Sequence, residues 1–175
     1  MRDAAPPALV VMGVSGSGKS HVGAALAAAL GAQFLDADDL HPEANLHKMA
    51  AGTPLDDCDR MPWLDAVAAW IGAGRASGEA GVVACSALRR RYRDRLRAAA
   101  PELGFVHLAV PRDELDRRMR ERRHFMPPSL LDSHLATLEP PAADEDACTL
   151  DGTRPMDENI ARVRAWLSTR AAAKG

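Results

Sequence analysis

Gly13-Val14-Ser15-Gly16-Ser17-Gly18-Lys19-Ser20 places two glycines, a lysine and a hydroxyl in the spacing G-x-x-x-x-G-K-[ST]. The glycines allow a tight backbone turn with positive φ. Successive N–H groups then converge on a concavity that suits phosphate oxygens. Lys19 can reach the β- and γ-phosphates as a mobile charge, and Ser20 can offer its hydroxyl to magnesium. The motif follows the apolar run Ala8–Met12 and precedes a helical pattern from His21 to Leu30, the strand–loop–helix setting it requires. This context, rather than a chance Gly/Ser-rich turn, assigns a nucleoside triphosphate with Mg²⁺. Lys19 is also one of only three lysines among 22 basic residues, which fits a specific role.

Further groups able to do chemistry follow the other apolar runs. Asp36-Ala37-Asp38-Asp39 comes after Phe34-Leu35. In extended chain Asp36 and Asp38 share a face. One could order magnesium-bound water while the other meets a substrate hydroxyl as a base; an Asp-rich turn capping the next helix is the alternative. Arg60 stands at a helix start, where the dipole disfavours a cation. It is therefore held either by an anion or by Asp56, Asp57 or Asp59. Arg89 and Arg93 lie one helical turn apart, and guanidinium groups recognise carboxylates by paired bonds. Arg90, Arg91, Arg95 and Arg97 read as a solvated basic face. Arg117 to Arg123, running into His124-Phe125-Met126-Pro127-Pro128, reads as a lid that brings arginine to a transferring phosphate; no acid–base role falls to His124.

Five apolar runs, 8–12, 33–35, 81–85, 104–110 and 147–150, must position these groups. They alternate with helical patterns near 18–30, 62–72, 87–100, 112–123 and 156–170, with Pro62 expected in a first helical turn. Such alternation predicts an α/β fold, a five-stranded parallel sheet flanked by helices. Ligands then sit beyond the carboxyl ends of the strands. The 175 residues suit one domain, with residues 1–7 expected to be disordered and a lid over about 118–135.

Charge is asymmetric behind a net value of −2. Residues 36–65 hold eight acids and two bases, whereas residues 89–123 hold twelve arginines and six acids. The slightly negative total and the lack of a recognised nucleic-acid motif argue against a nucleic-acid-associated ATPase. The run before Cys85 ends without the acid expected of GTPases and motor ATPases. Cys58, Cys85 and Cys148 show neither disulfide nor zinc spacing. No membrane span or leader is evident, so the expected compartment is cytoplasmic.

In order and spacing, MGVSGSGKS, FLDADDLHP, N-x-x-KM-x-x-G-x-PL, DRMPWL, ACSALRRRYRD, HFMP, LL-x-S and LEPP resemble the gluconokinase family, small P-loop carbohydrate kinases related to shikimate kinase. The resemblance spans about residues 8–165. It implies the P-loop NTPase fold with a lid, phosphorylation of D-gluconate by ATP and magnesium, and a homodimer. It places the nucleotide on Gly13, Ser15, Gly16, Ser17, Gly18, Lys19, Ser20, His21 and Arg122, and magnesium on Ser20 and, through water, Asp36. It implies catalytic roles for Lys19, Asp38 and Arg122, and substrate binding by Asp38, His41, Arg60, Arg89 and Arg93. Shikimate kinase or another small-molecule kinase is the nearest alternative. Three positions depart from the family pattern: Ala37 replaces a glycine, the lid lacks the glycine before His124, and His134 replaces a glutamine.

Overall fold

Leu9-Val10-Val11-Met12 is apolar on both faces, and all four residues are fully buried. Such a strand belongs at the centre of a sheet covered on both sides. The computed structural model, which describes residues 7–79, 81–122 and 127–174, places it there. The strands are β1 (Leu9–Met12), β2 (Gln33–Asp36), β3 (Gly81–Ala84), β4 (Gly104–Ala109) and β5 (Ala147–Asp151). All pair in parallel, in the order β2-β3-β1-β4-β5. This is the P-loop kinase arrangement, and every strand delivers its following loop to one edge.

The helices are α1 (Lys19–Leu30), α2 (Glu43–Ala50), α3 (Asp57–Ser77), α4 (Arg90–Arg97), α5 (Arg112–Glu121), α6 (Pro128–Thr137) and α7 (Met156–Lys174). Alternate residues of β1 serve opposite layers. Leu9 and Val11 pack in a core with Val22 and Leu26 of α1 and Val163 of α7. Val10 and Met12 pack with Trp63, Leu64 and Val67 of α3 and Tyr92 and Leu96 of α4. A smaller cluster joins Val14, Leu88, Leu115 and Leu131, so the bases of α5 and α6 rest against the phosphate loop.

The boundaries differ from the sequence expectation in instructive places. Pro62 lies in the second turn of α3, because the helix already begins at Asp57. A reciprocal capping box sets that start: Asp56 accepts from the Asp59 N–H, and Asp59 accepts from the Asp56 N–H. The helix expected from residue 87 begins at Arg90, since Ala87 adopts φ 44° and breaks the pattern. A 3₁₀ turn, Ala37–Leu40, and helices α2 and α6 were not anticipated. Expectations for residues 1–6, Arg123 and His124 lie outside the described residues. Among the described residues, no helix is long and apolar enough to cross a membrane.

Candidate active site

The loop after β1 has the geometry its glycines predict. Gly16 and Gly18 take φ 82° and 88°, and no side chain caps the N-terminus of α1 among the described residues. Orphan amides at a helix start attract an anion. Gly13 is needed for close approach: a Cβ there would lie 2.6 Å from Ser17 Oγ and 3.2 Å from the Leu108 carbonyl. Ser17 Oγ is buried without a partner among the described residues. Ser20 Oγ donates to Asp36 Oδ2 at 2.6 Å, while Asp36 Oδ1 accepts from the Asp38 amide at 3.0 Å. An uncapped helix, an orphaned hydroxyl and a serine–aspartate pair fit a nucleotide phosphate group with its magnesium.

Asp38 faces a narrow pocket shared with Ser15, Lys19, His41, Met49, Leu55, Arg60, Trp63, Ser86 and His134. Its position is set from below. Trp63 Nε1 donates to the Ala37 carbonyl at 2.6 Å, and the buried Ala37 side chain leaves no slack. The surroundings raise the Asp38 pKa above the ordinary carboxylate value chiefly by desolvation; Lys19 opposes the shift, and Asp36 and Asp39 add to it. The carboxylate keeps 61% exposure through the cleft, so solvent moderates that push. His41 stacks on Trp63 with ring centroids 4.2 Å apart. Burial, reinforced by Arg60, lowers its pKa to about 4. Asn45 Nδ2 lies 3.2 Å from His41 Nδ1 and donates 2.9 Å to the Asp59 carbonyl. His41 is thus a neutral ring whose Nε2 side looks toward Asp38, 3.8 Å away.

Next to this pocket, and sharing Leu55 and Arg60 with it, lies a cavity of about 420 Å³ lined also by Asp57, Cys58, Arg89, Tyr92 and Thr137. Of the two alternatives for Arg60, a tie to its neighbouring acids is absent among the described residues. Asp56 and Asp59 are committed to the capping box, Asp59 also to Lys48 at 2.7 Å, and Asp57 to Tyr92 and Arg91. Arg60 is 5% exposed, and among the described residues its guanidinium bonds only to the Tyr92 hydroxyl, at 3.4 Å, and lies over that ring. Arg89 Nε is buried without a partner among the described residues. Two guanidinium groups therefore share one cavity, and the carboxylates that also line it, Asp56 and Asp57, are bonded to other partners rather than to Arg60 or Arg89 among the described residues. Neighbouring arginines behave differently: Arg90, Arg91, Arg95 and Arg97 all have acidic partners.

Arg93 corrects the sequence reading. Its side chain is fully buried, paired to both oxygens of Glu145 at 2.7 and 2.9 Å, and it donates to the Ala87 and Leu88 carbonyls. Four of its five N–H donors are used and none of the side chain is exposed to a substrate; its work is to fix the turn that presents Arg89. Exposed Arg122 ends α5 and lines a second groove, of about 410 Å³, with Ser17, Gly18, His21, Arg118, Arg154, Met156 and Asn159. His21 thus lies beside the loop, as expected of the nucleotide side. Arg118, read only as part of a basic helix, bridges the Gly16, Ser17 and Gly152 carbonyls and is held by Glu114 at 2.9 Å. His134 was also missed as a contact: its Nδ1 accepts from the Ser15 amide at 3.1 Å. Its sequence signal, a histidine three residues beyond the apolar pair Leu130-Leu131, is too common to find the Ser15 contact by.

A family model described as an AAA domain matches residues 9–141. The gluconokinase of Gluconobacter oxydans is 47% identical over 153 residues, covering 87% of this chain and 86% of that protein. The thermoresistant gluconokinase of Escherichia coli is 42% identical over 154 residues, covering 87% and 88%. The crystal structure of a gluconokinase from Sinorhizobium meliloti superposes with a TM-score of 0.87 at 45% identity, covering 98% of this chain and 97% of that one.

Proposed function

The chain belongs to the gluconokinase family, and from that premise we propose that it transfers the γ-phosphoryl group of ATP to the terminal hydroxyl of D-gluconate, giving 6-phospho-D-gluconate and ADP. The observation that carries the acceptor half is the pair of guanidiniums, Arg60 and Arg89, that have no acidic partner among the described residues and lie beside a pocket containing Lys19 and Asp38. A polyhydroxy acid bridges them: its carboxylate lies toward the arginines and its far hydroxyl toward Asp38.

Loop amides from Gly16 to Ser20, apart from that of Ser17, hold the triphosphate, and Lys19 follows the charge that moves onto the transferring group. Ser20 and Asp36 would hold magnesium, the latter through water, and the metal would supply positive charge that offsets the negative charge of the phosphates. Asp38 accepts the hydroxyl proton as the acceptor oxygen bonds to phosphorus and the bond to the ADP oxygen breaks. His41 stays neutral beside Asp38 and so does not compete for that proton. The segment 118–135 acts as a lid, with Arg122 brought to the phosphates and Arg118 anchoring the base of α5. Closure on the sugar acid limits loss of ATP to water. One kinase domain, residence in the cytoplasm and a homodimer complete the reading, on the strength of the family resemblance.

The test is ADP release with Mg·ATP and, in turn, D-gluconate, shikimate, AMP or no acceptor. Release driven mainly by gluconate, with the phosphate on the terminal hydroxyl, is expected. Preference for shikimate would move the activity to a sister kinase, and acceptor-independent release would refute the acceptor site.

A further inference from the structure

His134 comes from α6, far in sequence from the phosphate loop, yet it meets that loop directly. A backbone N–H can only donate, so the Ser15 amide fixes His134 Nδ1 as an unprotonated acceptor. The neutral ring then carries its proton on Nε2. That nitrogen makes no hydrogen bond among the described residues, and the ring lines the pocket holding Lys19, Asp38, His41 and Arg60. We propose that His134 is an acceptor-recognition residue whose Nε2–H donates to a hydroxyl oxygen of the bound sugar acid, with the phosphate loop itself setting its tautomer. The proposal rests on the function given above.

The surroundings suit a donor that must not become a cation. Burial, with Lys19 and Arg60 nearby, lowers the His134 pKa to about 3. The ring therefore adds direction without adding charge. A purely structural pin between α6 and the loop would need only Nδ1.

The test compares wild type with His134→Leu and His134→Gln. It measures KM for gluconate and for its singly deoxygenated analogues, ADP affinity by calorimetry, and Tm. His134→Leu removes both the bond from the Ser15 amide and the bond to the sugar acid, and loss of the latter should raise the gluconate KM about tenfold. ADP affinity, which does not involve the acceptor, should move less than about twofold. One deoxy analogue should lose its disadvantage in the variant, which identifies the hydroxyl read. His134→Gln, which keeps an acceptor and a donor, should recover most of the loss. An unchanged gluconate KM in His134→Leu, or a rise equal for all analogues, would overturn the proposal. Wild-type protein inert toward gluconate would instead overturn the function on which it rests, so the two failures are distinguishable.

Discussion

Replacing Arg93 with leucine separates a structural arginine from a substrate ligand. Arg93 and Glu145 side chains are 0% and 1% exposed, and removing one member of such a buried pair typically costs about 3–5 kcal/mol. Glu145 gives a second route to the size. Its pKa falls from an ordinary 4.5 to about 2, first through Arg93 and then, against desolvation, through Arg97 and the Ala142 amide. At 1.36 kcal/mol per tenfold change in proton affinity, that is roughly 3 kcal/mol. In the variant, Glu145 keeps Arg97 at 2.6 Å and the Ala142 amide at 2.8 Å, which favours the lower end. For a chain of this length, about 3 kcal/mol lowers Tm by roughly 6–12 °C. Calorimetry should show that loss, accompanied by a modest rise in gluconate KM as the Arg89 turn loosens. The folded-state pKa of Glu145 is depressed, so its contribution is complete above about 4.5 and is lost as the pH falls toward 2. The wild-type advantage in Tm should shrink over that interval. A variant with wild-type Tm and a gluconate KM raised a hundredfold would refute the reasoning and restore Arg93 as a ligand.

Three further outcomes are expected. Asp38→Asn should lower kcat by about 10²–10⁴ with little change in ATP affinity. In wild type the acid limb of the kcat/KM profile should lie above the ordinary aspartate value of 3.8, because the raised pKa delays formation of the base. Arg89→Met should raise gluconate KM by about tenfold or more, the scale of a charge-assisted hydrogen bond, while ADP affinity measured by calorimetry holds. Gly13→Ala should weaken ADP binding at least tenfold, since the new methyl would meet Ser17 Oγ and the Leu108 carbonyl; unchanged binding would show that the loop has room to spare.

The strands were legible because β1, β3 and β4 are short, buried apolar runs that end at chemistry-bearing residues. The phosphate loop was legible because its function is local: backbone turn, lysine and hydroxyl are contiguous. Helix α2 was hidden by its polar sequence, and α6 by the proline pair before it, which read as a break although Pro128 is a good first helical residue. Arg93 was misread for a related reason. Its spacing from Arg89 places both on one helix face, but the buried partner, Glu145, lies 52 residues away. Charge pairing across such a distance leaves no periodic trace, and the same holds for Ser15 with His134 and Arg118 with Gly152.

Arg60 and Trp63 occupy adjacent positions on the first turns of α3, one entering the anion cavity and the other holding the Ala37 carbonyl. The gripping point and the seat of the base are thereby mounted on one shaft. A tilt of α3 during a catalytic cycle would carry both together, so the span between a bound carboxylate and Asp38 is preserved while the helix moves. The enzyme can therefore measure the length of its acceptor, favouring acids whose reacting hydroxyl lies a fixed number of carbons from the charged end.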